Sequence, residues 1–272
     1  MPYILSDNVK IYYEEKGEGE PVFLLNGIFM NTASWGIISS LLSKYFRVIL
    51  HDMRGQWKSD KPVEKEKYSF RAHAEDLLNL MNHLGVEKGH VVGTSYGGEV
   101  ALYFAINYPE RVKSLTIICS VSEIGLETKL AAQRWLDGIS SRNPKSFVYS
   151  WINDVYSEEY LNSVGFSFVE QLIKVYSSPE FSFDSAINLM NAFFELERNP
   201  LTSSLEKIHV PTLVIAADKD RIKPPKYSEI IANKIKNSEL VIFSKAGHAL
   251  VIEKASALAY LVLGFLLRQS SK

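Results

Sequence analysis

Cysteine is almost absent from this 272-residue chain. Cys119 stands alone, so no internal disulfide can form, and the usage suits a reducing compartment. Nor is there a stretch long enough to span a bilayer. The longest apolar run, 257–267, is too short for that and reads as a packed terminal helix. The amino terminus, Met1-Pro2-Tyr3-Ile4-Leu5-Ser6-Asp7, lacks a basic region followed by an apolar core, so a signal peptide is not expected and the cytoplasm is the expected location. Net charge is also scarce, −1 from 30 basic and 31 acidic residues, which gives no reason to expect nucleic acid or an anionic membrane as partner. No internal repeat or low-complexity tract is evident.

What is present is a globular composition, 46% apolar and 22% charged, at a length that suits a single α/β domain with an insertion. Short β-branched runs at 22–25, 47–51, 90–92, 115–119, 212–216 and 239–243 alternate with longer helical patterns at 70–84, 97–108, 226–235 and 255–267. That alternation predicts an α/β fold, a mostly parallel sheet covered by helices. Two further runs, 3–5 and 9–14, flank the turn-like Ser6-Asp7-Asn8 and predict an antiparallel start, eight strands in all. The interval 121–205 breaks the rhythm: it has no clear β-run and is dense in aromatics. It is expected to be a helical cap over the carboxyl ends of the strands, where open α/β sheets bind ligands, with 1–120 and 206–272 forming the core. Most of its aromatics have the ordinary role of packing the insertion itself. Trp135 and Trp151 are the candidates for a pocket wall, together with Phe29 from the loop after the third strand.

Gly93-Thr94-Ser95-Tyr96-Gly97 is the most informative stretch, entered from the apolar His90-Val91-Val92 and left through a small-residue helix start. A serine between two glycines at a strand-to-helix turn fits a strained elbow with its hydroxyl exposed. A serine hydroxyl needs a base. His248, on a loop after the run 239–243, is the candidate, with Gly247 expected to permit close approach to the serine. The other histidines read as structural, with His73 and His83 on a polar helical pattern. The base needs a carboxylate, and Asp220 and Asp218 on the loop after 212–216 both qualify by spacing. An oxyanion needs two fixed donors. The main-chain N–H groups of Tyr96 and of Ile28, in Asn26-Gly27-Ile28-Phe29, are placed for that role.

The motifs accumulate in order: Leu24-Leu25-Asn26-Gly27, Asp52-Met53-Arg54-Gly55-Gln56-Trp57-Lys58-Ser59, Gly93-Thr94-Ser95-Tyr96-Gly97-Gly98, Tyr108-Pro109-Glu110-Arg111-Val112, Val210-Pro211-Thr212-Leu213-Val214-Ile215 and Gly247-His248 with Glu253 behind. On these the chain resembles the α/β-hydrolase superfamily over nearly its whole length, nearest to capped serine esterases and lactonases such as the 3-oxoadipate enol-lactonases and more loosely to proline iminopeptidases. The resemblance selects Asp220, the last residue of a G-x-x-D pattern with Ala217 at the glycine, and makes Asp52 and Arg54 fold residues. Three positions depart from the family pattern: Asn26 for histidine, Trp57 for glycine and Ala217 for glycine. Trp57 is expected to reshape a loop near the site. A serine nucleophile argues against the dehalogenases and epoxide hydrolases, whose elbow carries aspartate.

The expected activity is hydrolysis of a small, mainly apolar carboxylic ester or lactone through an acyl-enzyme, with Ser95, His248 and Asp220 as triad and no metal or organic cofactor called for. Perhydrolase, C–C bond hydrolase and hydroxynitrile lyase chemistry are the alternatives on the same scaffold. A small-molecule receptor with little turnover is the alternative of another class. The interval 121–205 carries eleven acidic and six basic residues, a sign that disfavours strongly anionic substrates.

Overall fold

The computed structural model describes residues 2–270. In chain order the strands are β1 (Tyr3–Ser6), β2 (Val9–Lys16), β3 (Pro21–Leu25), β4 (Arg47–His51), β5 (Gly89–Thr94), β6 (Val112–Ile118), β7 (Thr212–Ala217) and β8 (Ser238–Phe243). They form one sheet in the order β1-β2-β4-β3-β5-β6-β7-β8. The β1–β2 and β2–β4 pairs are antiparallel and all others parallel. The six later runs anticipated from β-branched composition are strands, and the two early runs pair as expected.

Helices cover both faces. They are α1 (Gly36–Leu42), α2 (Phe70–His83), α3 (Tyr96–Asn107), α10 (Pro225–Lys234), α11 (Leu250–Glu253) and α12 (Ala255–Ser270), with α4 to α9 between β6 and β7. The period of two along a strand decides which face each side chain serves. On β3, Phe23 and Leu25 join the core packed by α2 and α3, while Val22 and Leu24 join the core packed by α1 and α12. Both faces are covered, so the central strands are apolar throughout: β3 from Val22 to Leu25 and all of β7 are buried.

Between β6 and β7 run α4 (Leu126–Ser140), α5 (Pro144–Val155), α6 (Glu158–Val164), α7 (Phe166–Tyr176), α8 (Phe183–Phe193) and α9 (Glu195–Arg198). Asn143 and Ser182 cap α5 and α8 by accepting main-chain N–H groups of the first turn. Phe147 sits among the rings of Phe29, Trp151, Tyr176, Phe181 and Phe183, so the aromatic density seen in the sequence closes one cluster. No described helix is long and apolar enough to cross a membrane.

β3 lies between β4 and β5, so the chain leaves it in one direction and returns on the other side. The loops after β3 and after β5 thus flank a crevice at the carboxyl ends of the strands, the place where such sheets take ligands.

Candidate active site

Ser95 stands between β5 and α3, at the cap of α3, with φ 52° and ψ −122°, a conformation that L-residues avoid. The two flanking glycines make the turn possible. A Cβ on Gly93 would lie 2.2 Å from the Gly97 carbonyl oxygen, and one on Gly97 would lie 2.3 Å from that of Leu25. The strand, α3 and the close-packed neighbours therefore fix the direction of the serine hydroxyl.

His248 Nε2 is 2.8 Å from Ser95 Oγ, and its Nδ1 is 2.7 Å from Asp220 Oδ2. Asp220 is 4% exposed, and its Oδ1 accepts the main-chain N–H groups of Ile222 and Lys223 at 3.0 and 2.7 Å. Four polar contacts thus lock the carboxylate and imidazole in one orientation. Asp218 is exposed and accepts instead from the Ala246 N–H at 3.3 Å. Of the two aspartates on this loop, Asp220 reaches the imidazole.

Gly247 has a different reason from the one expected. A Cβ there would meet the Ser157 nitrogen at 2.6 Å, Glu253 Oε1 at 2.7 Å and the Val155 carbonyl oxygen at 2.8 Å, so the close approach is to the α5–α6 junction rather than to the serine. Glu253 Oε1 accepts from Ser157 N at 2.8 Å, and Oε2 accepts from Ser157 Oγ at 2.6 Å and Gly247 N at 3.0 Å. Ala249 N donates to the Val155 carbonyl at 2.9 Å. The histidine loop is clamped on both sides of His248 to the helices above it.

Ile28 is in a tight turn closed by Met30 N donating to the Gly27 carbonyl at 3.2 Å, with Phe29 at φ 66°. Gln56 Nε2 donates to the Gly27 carbonyl at 3.1 Å and Trp57 Nε1 to the Phe29 carbonyl at 2.9 Å, so the turn is pinned from the next loop. Trp57 holds φ 39°, which accounts for glycine being the usual occupant, and its ring packs beside Tyr176 and Phe181. Tyr96 N–H opens α3, where no carbonyl one turn back within the helix can accept it. Asn26 is buried; its Nδ2 donates to the His51 carbonyl at 3.1 Å and its Oδ1 accepts from Trp35 Nε1 at 2.9 Å. Asp52 accepts from Thr32 N and Lys58 N at 2.9 and 3.1 Å, and burial pushes its carboxyl up to about 6. Arg54 forms a two-pronged pair with Asp76 at 2.7 and 2.6 Å, away from the serine.

Ser95 and His248 open onto a cavity of about 350 Å³, whose lining includes Ile28, Phe29, Trp57, Trp135, Trp151 and Tyr176. All three wall candidates, Phe29, Trp135 and Trp151, border it. Trp135 Nε1 is engaged with Asp154 at 2.7 Å, whereas the buried Trp151 Nε1 has no partner among the described residues. Burial raises the phenols of Tyr156 and Tyr176 far above their usual value, so both stay neutral in the chamber.

Two groups at the site were not singled out from the sequence. Lys223 and Glu99 are 4% and 0% exposed at their side chains and pair at 2.7 Å, and the same ammonium lies 3.3 Å from Ser95 Oγ. Glu99 Oε1 also accepts from Ser120 Oγ at 2.5 Å and Val121 N at 3.1 Å. The available signal was an acid among the glycine, alanine, valine and leucine residues of α3, which requires a buried partner. His73 also differs from expectation: it is buried, lies edge-on to Tyr96 at 5.4 Å, and neither ring nitrogen has a partner among the described residues. Cys119, Asp220 and His248 offer metal-ligand atoms within 4.8 Å of one another. Two of these already bind each other, and burial keeps the Cys119 thiol protonated by pushing it well up, so the set is poorly suited to a metal.

A family model described as the alpha/beta hydrolase fold matches residues 20–255. A 2-hydroxymuconate semialdehyde hydrolase from Pseudomonas putida is 31% identical, over 97% of this chain and 92% of its own length. Among solved structures, MGS-M2, an alpha/beta hydrolase enzyme from a Medee basin deep-sea metagenome library, is similar with a TM-score of 0.90 and 29% identity over 97% of each chain. A thermophilic esterase from Thermogutta terrifontis is similar with a TM-score of 0.85 and 26% identity over 98% of each. With the family model spanning most of its length and the sheet order and elbow geometry in agreement, the chain belongs to the alpha/beta hydrolase family and is a hydrolase.

Proposed function

We propose that the protein cleaves small, mainly apolar carboxylic esters or lactones through an acyl-enzyme on Ser95. The observation that carries this reading is the hydrogen-bonded chain from Ser95 through His248 to Asp220, opening onto the apolar chamber. His248 takes the serine proton as Oγ attacks the carbonyl carbon. The Ile28 and Tyr96 N–H groups hold the oxyanion. His248 then protonates the leaving alcohol, and a water activated by the same imidazole releases the acid. Asp220 holds the tautomer. These steps call for no metal or organic cofactor. Residues 121–205 serve as a cap that shapes the chamber over a core formed by 1–120 and 206–272. The single, buried Cys119 supports a cytoplasmic setting.

The test is Ser95→Ala. Mass spectrometry after fluorophosphonate treatment should show one adduct on the wild type and none on the variant, and ester turnover should fall by several orders of magnitude. Near wild-type turnover by a clean Ser95→Ala preparation would overturn the mechanism. The Pseudomonas putida relative favours a second reading, C–C bond hydrolysis. Turnover of 2-hydroxymuconate semialdehyde well above that of any simple ester would select it.

A further inference from the structure

Beside Ser95 lies a second, smaller cavity of about 20 Å³. Ile28, Ser95, Tyr96, Trp135, Phe193 and Lys223 are among its lining residues. It shares Ser95 with the large chamber, but His248 borders only the large one. The volume suits a substituent about the size of one water.

The two cavities are chemically unequal. A leaving alcohol must be reached by His248, which returns the proton to it, so the alcohol belongs in the large chamber. The acyl substituent then points to the other side of Ser95, into the annex. Of its lining side chains, that of Lys223 is the one that carries a charge. Its ammonium is anchored to Glu99 at 2.7 Å and lies over the Phe193 ring at 4.9 Å, so it cannot swing away to water. In the free protein Ser95 Oγ takes another of its donors at 3.3 Å. Acylation turns Oγ into an ester oxygen, a feeble acceptor, and leaves a buried donor to be satisfied. A donor left without a partner in such a place penalises the complex, and sites of this kind discriminate strongly against analogues lacking the acceptor.

We propose that the annex is an acyl subsite and that Lys223 selects short acyl groups bearing an oxygen on the carbon next to the scissile carbonyl, as in 2-hydroxy and 2-oxo acyl esters. The substrate oxygen takes over the donor that Ser95 Oγ gives up. The inference rests on the ester reading and narrows its substrate class.

The experiment compares phenyl glycolate with phenyl propionate, in which a methyl group replaces the hydroxyl. Each kcat/KM is divided by the ester's hydroxide rate constant to remove intrinsic reactivity. The expected wild-type ratio favours glycolate at least tenfold, and Lys223→Met should bring it close to one. Because the readout is a ratio within each protein, a uniform loss from disturbed packing cancels. A wild-type ratio near one overturns the inference even if the variant fails to fold, and so does an equal preference in wild type and Lys223→Met. Fluorophosphonate labelling of Ser95 separates the two levels. Labelling and propionate turnover without a glycolate preference overturn this inference alone. Neither labelling nor hydrolysis of either ester overturns the ester reading and this inference with it.

Discussion

Asp220 and Asp218 show how much two residues along a loop can change a carboxylate's role. Asp220 is buried with both oxygens committed, one to His248 and one to two main-chain donors, while Asp218 faces solvent. Asp220→Asn should lower kcat by up to about 10⁴-fold, because an amide at Nδ1 permits the wrong tautomer. Asp218→Asn should leave kcat unchanged. Steady-state kinetics on one ester decides, and equal losses would reverse the assignment. Ser95 was legible because its elbow is local, a strand, a crowded turn and a helix within ten residues. His248 and Asp220 were legible as loop residues after apolar runs, although spacing alone left two aspartates in play. Lys223 and Glu99 were not legible, because their meeting depends on the close approach of α3 to the loop after β7, 124 positions along the chain.

At the scale of elements, the central strands β3 to β7 could be read because buried parallel strands are continuous apolar runs, whose burial on both faces removes the alternation seen in β1. The helices α4 to α9 could be anticipated as a helical interval but not delimited. Their apolar positions serve two surfaces at once, their own cluster around Phe147 and the chamber, which blurs a single 3.6-residue period. The short α1 also passed unseen, its seven residues too few to show a period. Trp151 belongs to both surfaces, on α5 and in the chamber wall. Trp151→Ala should change the ranking of alcohol chain lengths, since about 0.8 kcal/mol per buried methylene is about a fourfold change in kcat/KM for each carbon gained or lost. Ser95 labelling should persist. A uniform drop across an ester series from methyl to octyl would show that the ring supports the fold and not the choice of substrate.

The whole molecule carries an acid sensitivity set by two buried histidines, His51 and His73. Burial lowers His51 to about 4 and drives His73 well below its usual value, with Arg54 adding to the effect. Unfolded, both would bind a proton near pH 6.5; folded, both resist it. The stability they contribute is full above 6.5 and is lost as pH falls toward 4, on the order of 3 kcal/mol for His51. Asp52, raised to about 6, has the opposite sign between its usual 3.8 and 6 and offsets part of this. Thermal melts should show Tm falling from pH 6.5 to 4, with a shallower fall in His73→Leu; parallel slopes would contradict the assignment. The Glu253 clamp has another consequence at this scale. One carboxylate ties the loop bearing His248 to the junction of α5 and α6. The upper helices are therefore not a detachable module. A chimera that imports them from another member to obtain a new pocket also replaces the bracket that aims His248. Unless it keeps a hydroxyl and N–H at position 157 and the carbonyl at 155, it would combine a well-formed pocket with a misplaced His248.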